Sequence, residues 1–88
     1  MDISQLVSCS HNSKIIRTSG NVTSDQNCGI TFINIGNDTV TVMGYPLSPS
    51  YQLYLPANLG EYDTTNYTVT FAGVGNAQQL LVITRVYN

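Results

Sequence analysis

Glu61 and Asp63 are the closest pair of carboxylates in the chain, and Cys9, His11 and Cys28 are its only thiols and its only imidazole. These five residues bound the chemistry the sequence could support. On an extended backbone, residues two apart share one face, so Glu61 and Asp63 in GEYDTTNY would point the same way. With Asn58 or Asn66 they could form a weak cation site. A glycosidase needs two carboxylates flanking the scissile bond. Asp2, Asp25 and Asp38 sit in other loops, and no opposing acid is evident. The plainer reading is a solvated loop in which Asp63 caps its own turn by accepting from the Thr64 or Thr65 amide.

Cys9-x-His11 with Cys28 offers three metal ligands, whereas structural zinc takes four and usually draws them in closely spaced pairs. A Cys–His nucleophile would have to join His11, in the polar string SCSHNSK, to Cys9 or Cys28. The chain contains no G-x-S-x-G elbow, H-E-x-x-H helix motif or Gly-rich phosphate loop. The residues therefore assign no catalytic, cofactor-binding or metal site, and no enzymatic activity is expected. His11 is expected in a loop. A Cys9–Cys28 disulfide would stabilise by a few kcal/mol. The N-terminus lacks the basic and apolar regions of a secretory signal, so two free thiols are expected instead.

Binding chemistry rests on the six tyrosines. Tyr51 and Tyr67 fall on apolar strand faces and are expected in the core. Tyr45, Tyr54, Tyr62 and Tyr87 are the candidates for a surface, where an aromatic body with a polar tip suits an interface. Asn21, Asn37 and Asn66 each begin an N-x-[ST] triplet. A chain rich in Asn and Thr produces these by composition, and glycosylation is not expected without a secretory signal.

The elements that would position these residues follow from composition. The chain has 88 residues with 42% hydrophobic and 9% charged, against about 25% charged in an ordinary domain. Thr and Asn take the place of charge, one suited to pleated surfaces and the other to tight turns. A single domain spanning 1–88 is expected, with 1–28 either part of the core, an edge segment or an N-terminal arm. Such a chain buries only about 60–65% of its unfolded surface, so oligomerisation or another staple is expected. Lys14, Arg17 and Arg85 are the only cationic side chains, and net charge is −2. Direct nucleic-acid binding and a polybasic membrane patch are excluded on that ground.

Period-two alternation dominates. Asn66–Ala72 places Tyr67, Val69 and Phe71 on one face, and Tyr51–Leu55 places Tyr51, Leu53 and Leu55 together. Val40 and Val42 alternate with Thr39 and Thr41. Gly29–Ile35 and Gln79–Tyr87 are apolar on both faces, so they are central strands or meet a partner. Ile3–Ser8 and Lys14–Thr18 are weaker candidates. Gly36-Asn37-Asp38 reads as a hairpin turn, PLSP at Pro46–Pro49 as a connection, Pro56–Thr65 as a longer loop and Gly73–Asn76 as a hairpin tip. About seven short strands predict an all-β fold: a small antiparallel β-sandwich, jelly-roll or Ig-like, with a small barrel as the alternative.

Residues 29–88 resemble small virion proteins of tailed bacteriophages, of the capsid-decoration or head-accessory kind. The resemblance rests on F-x-N-x-G from Phe32, V-x-G-x-x-L-x-P from Val42 to Pro49, and G-E-Y-D-T-T from Gly60. It implies a symmetric oligomer in a virus particle, made in the host cytoplasm. Its partners would be copies of itself and a virion protein such as a major capsid protein. The alternative expectation is a β-sandwich binding module that recognises carbohydrate or a host-cell surface through tyrosine-bearing loops.

Overall fold

The computed structural model describes residues 9–23, 27–56, 63–72 and 78–87. They form β1 (Cys9–Ile16), β2 (Gly20–Thr23), β3 (Gly29–Asn34), β4 (Val40–Val42), β5 (Tyr45–Leu47), β6 (Gln52–Pro56), β7 (Asn66–Phe71) and β8 (Leu80–Tyr87). Two four-stranded antiparallel sheets result, ordered β1-β8-β3-β6 (sheet A) and β2-β7-β4-β5 (sheet B). The first strand pairs with the last, β2 with β7, β3 with β6 and β4 with β5. The chain is thus one long hairpin with its tip at β4–β5, rolled up and stitched by the β3–β8 and β4–β7 ladders. This is jelly-roll connectivity. Among the described residues each sheet ends in two edge strands, so the fold is a sandwich and neither the small barrel nor an Ig-like arrangement. The stretch before residue 29 supplies β1 and β2, which are edge strands. The predicted Lys14–Thr18 strand is displaced toward the N-terminus, and Ile3–Ser8 lies outside the described residues.

Alternation makes the core. Val22, Val40, Val42, Leu47, Tyr67, Val69 and Phe71 face inward from sheet B, and Ile30, Phe32, Leu80 and Val82 from sheet A. Phe32 meets Tyr67 across the sandwich with ring centroids 5.2 Å apart at 66°, the edge-to-face geometry that aromatic quadrupoles favour.

Gly36-Asn37-Asp38 is not a hairpin. The segment carries the chain from sheet A to sheet B, and the corner is built around Asn34. This side chain is fully buried. Its Nδ2 donates to Asp38 O at 2.7 Å and to Leu47 O at 2.9 Å, while Oδ1 accepts from Gly36 N at 3.0 Å. A single amide thus ties the end of β3 to the starts of β4 and the end of β5. The Gly73–Asn76 segment, read as a hairpin tip, lies outside the described residues.

The actual tight hairpin is β4–β5, closed by Met43 and Gly44 with φ of 52° and 84°. Two positive values in a two-residue loop mark a type I′ turn, whose twist matches the strands. Pro46, read as part of a connection, lies within β5 opposite Thr41. It is tolerated because β5 is an edge. The hairpin closes on the Val42–Tyr45 pair, so Thr41–Pro46 is a non-hydrogen-bonded pair and needs no donor.

Asn34→Ala would remove the Nδ2 donor from the Asp38 and Leu47 carbonyls, at about 1–3 kcal/mol each, while Gly36 N keeps its bond to Gln79 O. We expect a loss of about 2 kcal/mol or more in urea unfolding at unchanged m-value. Met43→Asn replaces a residue strained at positive φ with one that tolerates it. A gain of about 1 kcal/mol is expected, raising Tm by about 4–8 °C.

Candidate interaction surface

The two outer faces differ in kind. On sheet B, register places Asn21 beside Thr68, Thr23 beside Asn66 and Thr41 beside Thr70. Thr68 Oγ1 donates to Asn21 Oδ1 at 3.4 Å. This face is threonine and asparagine, mostly exposed.

On sheet A, one row runs Ile15–Leu81–Ile33–Gln52 and the next Ser13–Ile83–Thr31–Tyr54. Leu81, Ile83, Ile33 and Thr31 are half-buried, because each is shielded only by its lateral neighbours. Ile15 is 47% and Tyr54 57% exposed. The central strands β3 and β8 are therefore apolar on both faces, as their sequences predict, and no element among the described residues covers the outer one. The Tyr54 phenol crosses to Gly29, where a Cβ would stand 3.5 Å from its oxygen. The polar end of this face holds His11 and Arg85 in register.

The residues singled out for chemistry are dispersed. His11 is not in a loop; it is exposed on β1. Cys9 shares its outward side, and Cys9 Sγ accepts from Arg85 Nε at 3.2 Å. Cys28 is buried just before β3, and both thiols are free. Among the described residues no three His, Cys, Asp or Glu side chains cluster as metal ligands. Asp63 Oδ1 accepts from Thr65 N at 2.8 Å, the expected turn cap, and its backbone bridges Asn27. Asn66 opens β7. Glu61, Asn58 and Tyr62 lie outside the described residues, as does the side chain of Tyr87. Tyr45 and Tyr54 are exposed as expected and Tyr67 is core, but Tyr51 is 64% exposed. Its alternation phase is right. It precedes β6 at the turn from Ser48 to Ser50, where Tyr51 N donates to Ser48 O, and the inner position opposite is occupied by Asn34.

Sequence reasoning missed Asn27 and Asn34, both fully buried. Asn27 Oδ1 accepts from Gly29 N at 2.9 Å. The signal was present as Asn two residues before Gly in both N-C-G and N-I-G, the spacing of an Asx turn.

Comparison with known protein families, curated proteins and solved structures finds no match for this chain.

The two thiols should titrate separately. In native protein an aromatic disulfide reagent is expected to modify one equivalent, Cys9, and to reach Cys28 only in denaturant. Rapid modification of both would contradict the burial of Cys28.

Proposed function

We propose that this protein is a non-enzymatic structural subunit of a virus particle, of the capsid-decoration or head–tail accessory kind. It works through contacts with copies of itself and with a larger virion protein such as a major capsid protein. The observation that carries this reading is the contrast between the outer faces. An apolar band of Ile15, Leu81, Ile33 and Ile83 on a charge-poor chain is a protein-contact surface. The Thr/Asn face opposite is suited to solvent. The motif resemblance at Phe32–Gly36 and Val42–Pro49 supports the same reading: Asn34 and the Met43–Gly44 turn give those residues architectural work rather than chemical work.

The second reading, a module for carbohydrate or a host surface, draws on the exposed Tyr45, Tyr51 and Tyr54. These belong to β5, β6 and the turn before β6, so strands of two different sheets contribute them.

Particles purified from the source lysate should contain the chain in stoichiometric amount. Ile83→Glu should lower its incorporation by about tenfold or more, the effect of roughly 1.4 kcal/mol, while leaving thermal unfolding unchanged. Absence from particles, together with glycan-array binding lost on Tyr54→Ala, would replace this reading with the second.

A further inference from the structure

Among the described residues, the four edge strands of the sandwich, β1, β6, β2 and β5, are not equivalent. Edge strands invite pairing, and natural proteins blunt them with proline, short length or charge. In sheet B, β5 carries Pro46 and spans three residues, and β2 spans four and begins with Gly20. In sheet A, β6 ends in Pro56. β1 is eight residues long, with neither proline nor glycine, and Lys14 is its one charged side chain.

β1 is also exposed on both faces. Ser10 to Ile15 are all exposed in succession, so sheet B does not cover the inward side of this strand. Its order rests on the β8 ladder and little on burial.

Main-chain direction follows from neighbouring bonds. Arg85 O accepts from Cys28 N and Gln79 O from Ile35 N, so odd-numbered residues of β8 bond toward β3. Its even-numbered residues therefore bond toward β1, where their partners are Ser10, Asn12, Lys14 and Ile16. The amides and carbonyls of Cys9, His11, Ser13 and Ile15 consequently point away from β8, toward the open edge.

We propose that β1 is a homotypic edge: two copies of this chain pair β1 with β1 antiparallel about a two-fold axis at Asn12, joining their A sheets into one continuous sheet. This rests on the reading that copies assemble, and it names the contact between them. Centring the axis at Asn12 matches Cys9 with Ile15 and His11 with Ser13 of the second copy, so all four outward-facing residues find partners and about eight main-chain bonds form. Lys14 falls opposite Ser10 of the second copy, and the two lysines stand about 13 Å apart along the ladder. A register centred on Lys14 would oppose like charges directly. The axis runs perpendicular to the sheet, so both apolar bands end on the same side and double the contact face.

The experiment is light scattering after size exclusion at two concentrations, on wild type and Ser13→Pro. Ser13 N–H is not used by the β8 ladder, so proline is sterically suited to this edge position. Wild type should reach about 19 kDa, twice 9.6 kDa, and Ser13→Pro should run at 9.6 kDa with an unchanged circular dichroism spectrum. As a second variant, Asn12→Cys in a Cys9→Ser background should form a covalent dimer under mild oxidation with diamide. Thr70→Cys, on sheet B, should not. A wild-type oligomer that survives Ser13→Pro and fails to cross-link through Asn12→Cys overturns the edge pairing while leaving the assembly reading intact. A wild-type monomer at both concentrations, with no cross-link, overturns it outright.

Discussion

The whole molecule depends on one apolar layer closed from both sides, with Phe32 of sheet A set edge-on against Tyr67 of sheet B. Neither sheet can bury its inner face alone, and no connecting segment keeps consecutive strands together for long. After β1 the chain passes to sheet B, returns for β3, crosses again for β4 and β5, and alternates to the end. Every crossing needs a corner whose backbone groups are satisfied away from water. Asn34 does this at the corner between β3 and β4, where its amide makes three hydrogen bonds to backbone groups of Gly36, Asp38 and Leu47. Asn27 does the same beside Gly29. A small core in a charge-poor chain can be unique because these buried amides fix how the sheets join.

How much of this was legible follows from range. Alternation is local, so the inward positions of β4, β6, β7 and β8 could be read from side-chain order alone, as could the doubly apolar character of β3 and β8. The β-sandwich class followed from strand number and turn chemistry. Pairing is not local. Gly36-Asn37-Asp38 has the composition of a hairpin turn, yet the segment crosses between sheets, because Asn34 just before it, at the end of β3, is directed inward and holds the Asp38 and Leu47 carbonyls. Pro46 looked like a break and is a strand residue, because only the observed register shows that its missing donor faces away from β4. Tyr51 has the phase of a core residue but sits where its strand begins. β1 was the least legible element: with no apolar alternation, it is defined by its ladder to β8.

Of the residues singled out for chemistry, the role legible in the sequence was the Asp63 turn cap. Cys9 and His11 lie on an edge strand and Cys28 is buried, placements that depend on pairing and could not be read locally. What the sequence could not show is the division of the surface. Thr was expected on the outward sides of the half-buried strands, and Thr and Asn are concentrated on sheet B, which leaves the outer face of sheet A apolar and, among the described residues, uncovered. The proposed function rests on that segregation, with one outer face of Thr and Asn and the other apolar.

Hydroxyl-radical footprinting of free protein and of protein in its native particle tests that account most directly. The account predicts that Leu81, Ile83, Ile33 and Tyr54 on sheet A lose reactivity in the particle, while Met43 and Tyr45 on sheet B, 44% and 61% exposed in the free chain, stay as reactive as before. Protection of Met43 and Tyr45 with sheet A unchanged would contradict it.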